Sequence, residues 1–131
     1  MNVPSTTQGR CACGAVQYEF GGTPQVSLHC QCRKCQRISG TGHTSIFVVM
    51  AENLRLTGEL TYFRQKTDTG STSSNGFCPR CGSPVVNLTD RFPDSRYLHA
   101  ATLDEPQHYA PTMTVFSEHA QPWDAVWVSG D

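Results

Sequence analysis

The chain has 131 residues, with ten Lys and Arg against eleven Asp and Glu for a formal net charge of -1. That length fits one domain, small enough to gain from a metal or another cross-link. The near-balance of charge argues against a nucleic-acid binder relying on bulk positive potential. Met1 to Arg10 offers no apolar signal core, since Val3-Pro4-Ser5-Thr6-Thr7-Gln8 is largely polar. The longest apolar run, Ile46 to Ala51, suits a buried strand and is too short to span a bilayer. The expected setting is the cytoplasm, with neither a membrane nor a nucleic acid as partner.

Residues 1–8 read as an N-terminal tail and 9–131 as a single domain. After Cys11-Ala12-Cys13-Gly14, the alternating run Ala15-Val16-Gln17-Tyr18-Glu19-Phe20 predicts a strand, and Val26-Ser27-Leu28 a second. His29 and the cluster Cys30-Gln31-Cys32-Arg33-Lys34-Cys35 follow. They lead into the best helical candidate, a short turn from Cys32 to Ser39. Thr44 to Met50, Leu54 to Leu56 and Leu60 to Phe63 predict further strands. The polar stretch Thr67 to Gly76 reads as a loop or hairpin tip entering Phe77-Cys78-Pro79-Arg80-Cys81-Gly82. Pro84 to Leu88, Arg96 to Leu103 and Thr114 to Phe116 complete the set. Many short strands at this spacing predict a mainly β fold, a sandwich or open barrel with little helix.

Seven cysteines in a reducing compartment read as metal ligands or catalytic groups before they read as disulfides. Zinc prefers four ligands in a tetrahedron, and structural sites are closed by two short chelating segments. Cys78-Pro79-Arg80-Cys81-Gly82 has the spacing of a zinc knuckle, and its glycine permits the positive φ that turns backbone N–H groups toward the sulfurs. Cys13-Gly14 shares the glycine. Cys11 and Cys13 therefore pair with Cys78 and Cys81 as a closed site. Cys30, Cys32 and Cys35 remain, three thiols without a fourth. Such a trio can hold zinc with one position for water or substrate, as a catalytic site requires. Two readings oppose this: a histidine or carboxylate closes the trio into a structural site, or one metal binds and the remaining thiols are spectators.

Zinc on three thiolates carries a formal charge of about -1, a weaker Lewis acid than zinc on three histidines. It suits a fourth sulfur ligand, so a thiol substrate would bind there as a nucleophilic thiolate. Arg33, Lys34 and Arg37 crowd the same segment and are candidates to hold the carboxylates of an anionic thiol, against the alternative of a solvated basic face.

The segments Gly9 to Val16, His29 to Gly40 and Phe77 to Ser83 together resemble the glutathione-dependent formaldehyde-activating enzyme family, also called the centromere protein V type. Ala101-Thr102-Leu103-Asp104-Glu105-Pro106 resembles the segment that family carries after its zinc knuckle, and Ser117 to Trp123 its C-terminal stretch. The resemblance implies a β-tent-like fold of antiparallel sheets stapled by two zinc ions per chain. One would sit on Cys11, Cys13, Cys78 and Cys81, the other on Cys30, Cys32 and Cys35. It also implies carbon–sulfur lyase chemistry, the reversible addition of glutathione to formaldehyde giving S-hydroxymethylglutathione. Where the family usually shows His before its C-terminal apolar pair, this chain has Thr114.

As an enzyme the protein would need a proton shuttle, for which His29 is the candidate by chain proximity and His43 the second, with Ser39 or Thr41 donating to a developing oxyanion. His99, His108 and His119 have less to recommend them. A non-catalytic protein-interaction module with two structural zincs, and a redox or zinc sensor whose trio releases metal on oxidation, are the opposing functions. A homodimer through an exposed strand edge is a further expectation.

Overall fold

The first hairpin forms because Gln17 to Phe20 alternates polar and apolar residues, so that Tyr18 and Phe20 turn inward while Gln17 faces solvent. In the computed structural model, which describes residues 6–128, strand β2 (Gln17–Gly21) pairs antiparallel with β1 (Thr6–Arg10) and with β5 (Leu54–Thr57). The strand β1 begins inside the segment read as a tail. A second, seven-stranded sheet contains β3 (Val26–Cys30), β4 (Thr44–Met50), β6 (Thr61–Lys66), β7 (Thr72–Phe77), β8 (Pro84–Thr89), β9 (Ser95–His99) and β10 (Met113–Val115). Its order is β10-β3-β4-β9-β8-β7-β6. The fold is mainly β with one α-helix, α1 (Arg33–Ser39), and no helix among the described residues is long and apolar enough to cross a membrane.

Three expectations are corrected here. The stretch Thr67 to Gly76 is only partly a hairpin tip, because Thr72 onward pairs with β6 and β8 as a strand of the sheet. Its small polar side chains are tolerated where neighbours on both sides supply the ladder. The run Arg96 to Leu103 stops being a strand at His99 and turns into a 3₁₀ helix, Ala100–Thr102. The large sheet is also mixed, since β10 runs parallel to β3.

Register fixes which side chains share a face, because residues paired across antiparallel strands project the same way. Ser27, Phe47, Leu98, Val86, Gly76 and Tyr62 lie in one row across the sheet. Phe47 and Leu98 face the small sheet, where they join Tyr18, Phe20, Val16 and Val86 in the core. Each such buried side chain contributes about 1.5–3 kcal/mol. The adjacent row, Val26, Val48, Tyr97, Asn87, Asn75 and Phe63, projects to the opposite face. Cys30, paired with Thr44, and Ile46, paired with His99, project to that second face as well.

Candidate metal and thiol site

Two similar turns build the quartet. In the first, Cys11 N–H donates to Val16 O (3.0 Å) and Gly14 N–H to Cys11 O (3.1 Å). In the second, Cys78 N–H donates to Ser83 O (3.0 Å) and Gly82 N–H to Cys78 O (2.8 Å). Gly14 and Gly82 take φ of 80° and 78°, the left-handed conformation that the motif predicts. Backbone N–H groups then point at sulfur: Val16 to Cys11 Sγ at 3.3 Å and Arg80 to Cys78 Sγ at 3.4 Å. The Ser83 hydroxyl, 3.2 Å from Cys81 Sγ, and the Ser83 N–H bring the Cys81 thiol down to about 5. A depressed thiol is readier to act as a thiolate ligand.

The four sulfurs lie within 4.8 Å of one another, with Cys11 to Cys13 and Cys13 to Cys78 each 3.7 Å apart. A tetrahedron with Zn–S bonds of about 2.3 Å has edges of about 3.8 Å. The quartet therefore fits a zinc ion in both donor chemistry and size.

The trio is built at the head of α1. Cys32 is the N-cap, its Sγ accepting the Cys35 N–H at 3.3 Å. Cys30 ends β3, one position before the chain turns. The sulfurs of Cys30, Cys32 and Cys35 lie within 4.8 Å of one another, and among the described residues no His, Asp or Glu joins them as a fourth donor. Hydrogen bonds from the Cys30 and Cys35 thiols hold Cys32 well below the usual thiol range, while the same contacts push Cys30 and Cys35 up. Three sulfurs this close share negative charge poorly, and a bound cation would relieve that conflict. The trio, too, could hold a metal ion.

Gln36, buried on α1, braces this corner. Its amide donates to Gln31 O (2.8 Å) and His119 O (2.9 Å), and its side-chain oxygen accepts from Gln121 (3.1 Å). Parallel pairing of β10 with β3, extended by Gln31 N–H to Val115 O (3.0 Å), lays the C-terminal stretch along the trio.

The other predicted site residues fall in different places. His29 projects away from Cys30, with Nδ1 3.0 Å from Ser45 Oγ and Nε2 2.8 Å from Trp127 O. Both ring nitrogens are engaged on the core face, because adjacent strand residues point oppositely. Chain proximity to Cys30 thus does not carry the His29 ring to the trio. His43 Nδ1 pairs with Asp124 Oδ2 at 2.8 Å. Ser39 ends α1, its hydroxyl accepting the Thr41 N–H at 3.3 Å. Arg33 hydrogen-bonds Gln36, Lys34 donates to Lys66 O at 2.7 Å, and Arg37 is exposed in the last helical turn.

A cavity of about 620 Å³ opens between quartet and helix, lined by Cys11, Ser39, Thr41, Thr44, Ser83 and His99 among others. Thr44 links it to the trio through the strand pairing, since Thr44 lies opposite Cys30 in the β3–β4 register. Yet Thr44 Oγ1 is buried without a well-formed hydrogen bond. A slightly larger cavity, about 650 Å³, lies by Phe20, Phe47 and Tyr109 and is lined by no cysteine, whereas Cys11 of the quartet lines the smaller one. His99 lines this cavity because sheet register sets it opposite Ile46; no local spacing in the sequence signals that placement.

A β domain of two sheets carrying one four-thiol and one three-thiol cluster has the donor sets that can hold two metal ions, consistent with zinc. The sequence profile of the glutathione-dependent formaldehyde-activating enzyme family matches residues 6–119, and the chain belongs to that family. Membership supports glutathione-dependent formaldehyde-activating chemistry of a carbon–sulfur lyase type in general. The fold is similar to the crystal structure of a Rhodobacter sphaeroides protein, a structural genomics target. That match has a TM-score of 0.63 and 22% identity over 82% of this chain and 98% of that one. No curated protein matches the chain.

Proposed function

We propose that this protein is a cytoplasmic, zinc-dependent carbon–sulfur lyase that adds a glutathione-like thiol reversibly to an aldehyde such as formaldehyde. It would bind two zinc ions per chain. The observation that carries the reading is the trio of Cys30, Cys32 and Cys35, three sulfurs at one helix head without a fourth protein donor among the described residues. Bound there, zinc supplies the Lewis acidity that keeps a substrate thiol ionised at neutral pH. The chain's own residues do the rest. Gln36 holds α1 against the C-terminal stretch, keeping the sulfurs in register. Arg37 is exposed at the end of the same helix, available to a substrate carboxylate, whereas Arg33 and Lys34 must first release protein partners. Self-association through an edge strand such as β6, which exposes Phe63, belongs to the same proposal and is read by sedimentation.

A second reading, an interaction module without catalysis, is favoured by the exposure of Phe116, Trp123 and Trp127. One experiment separates the two. Exchange of glutathione with formaldehyde is followed by NMR with wild type and Cys32→Ser, after subtracting the uncatalysed rate. Acceleration by wild type, lost in a folded Cys32→Ser protein, supports the enzyme. No acceleration by the zinc-loaded wild type would falsify it.

A further inference from the structure

Resting on the lyase reading, we propose that His99 is a catalytic residue, donating a ring N–H hydrogen bond to the aldehyde oxygen from the cavity it lines with Thr44, on the sheet face that also carries Cys30. Three observations place it there. Register puts His99 opposite Ile46 on β4, two positions from Thr44, so its ring projects to the face that Cys30 and Thr44 share. The ring lines the 620 Å³ cavity together with Thr44, Ser39 and Thr41. Its nitrogens have no hydrogen-bond partner among the described residues, whereas His29 is tied to Ser45 and Trp127, and His43 to Asp124. A polar ring packed into a sheet face ordinarily finds a partner in the protein. Here what it meets is the cavity.

The ionisation state suits the role. Burial alone pulls His99 down to about 4, so the imidazole is neutral at pH 7 with one N–H to give. Thr44 Oγ1, buried and unpartnered on the same face, is a second donor of the same kind. Donors fixed before the reaction stabilise charge where it develops.

The step balances without any further reagent. The thiol loses its proton to water, sulfur forms a bond to the carbonyl carbon, and the C=O π pair moves onto oxygen. That oxygen takes a proton from water, while His99 keeps its own proton throughout. In reverse, the hemithioacetal hydroxyl loses its proton to water, the C=O bond reforms and the C–S bond breaks.

The test compares wild type, His99→Ala and His99→Gln in the glutathione–formaldehyde exchange assay, with zinc content and melting temperature measured on each. His99→Ala should lower kcat about a hundredfold with little change in KM for glutathione. His99→Gln, which keeps an N–H donor, should recover activity to within about tenfold of wild type. In wild type, the ring ¹⁵N–¹H signal of His99 should shift when glutathione and formaldehyde are added together. A folded, zinc-replete His99→Ala protein within about threefold of wild type overturns the assignment while leaving the lyase reading intact. Gln as poor as Ala, with no ring shift, also overturns it. A wild type that does not accelerate exchange overturns the lyase reading and takes the assignment with it.

Discussion

Cys78→Ser should destabilise the domain far more than Cys32→Ser, and the contrast can be sized from chain connectivity. The quartet links Cys13 to Cys78, which are 65 residues apart. A cross-link closing a loop of that length restricts the unfolded chain by about 4 kcal/mol. The trio closes only Cys30 to Cys35, worth about 2 kcal/mol by the same relation. Cys78 is also fully buried in the core, so a hydroxyl there loses packing as well as its ligand role. Against a domain stability of about 5–15 kcal/mol, losing the quartet removes a large fraction. Cys78→Ser should therefore lower the melting temperature by about 15 °C or more, and Cys32→Ser by about half that or less. Differential scanning calorimetry paired with native mass spectrometry reads both quantities. A Cys78→Ser protein that binds one fewer zinc yet melts within a few degrees of wild type refutes the idea that the quartet staples the fold.

Gly42→Ala should cost about 1–3 kcal/mol in urea unfolding, because a Cβ there would sit 2.2 Å from Asp124 Cγ and disturb the His43–Asp124 pair; an unchanged midpoint would show that the C-terminal stretch yields freely. Gly82→Ala meets no neighbouring atom but must hold φ of 78°, so about 1 kcal/mol of strain and weaker zinc retention against a chelator are expected; equal retention argues against a role for that turn. His99 stays neutral in the fold down to about 4, against 6.5 for an unperturbed histidine. The unfolded chain therefore takes up the proton first as pH falls, and stability present above pH 6.5 is lost toward pH 4, by about 3 kcal/mol in total. His99→Gln should flatten that limb of the stability curve; matching curves for the two proteins would contradict the burial of the ring.

Much of the molecule is legible locally. Thr44 to Met50 is a β4 strand with the predicted bounds, because a run of β-branched and aromatic residues suits a strand covered on both faces. The short helix from Arg33 lies where expected, with Cys32 serving as both cap and ligand candidate. The glycine after each cysteine pair marks its turn, so the quartet can be paired from spacing alone. What resists reading is non-local. The sequence Thr72-Ser73-Ser74-Asn75-Gly76 lacks any apolar pattern, and only its neighbours β6 and β8 make it a strand. Parallel pairing of Val115 with Cys30 joins positions with no shared local signal. His29 looks close to the trio because it precedes Cys30, but the pleat turns it away; His99 looks remote, and register sets it on the sheet face that Cys30 and Thr44 share.

The brace around Gln36 also orders events during synthesis. By the time Cys81 leaves the ribosome, all four sulfurs of the quartet exist and that corner can close. The loop bearing the trio has been made by then as well, yet its clamp comes from His119 and Gln121, which follow Cys81 in the chain. The nascent chain can thus close the quartet first, while the trio stays unbraced until His119 and Gln121 have emerged.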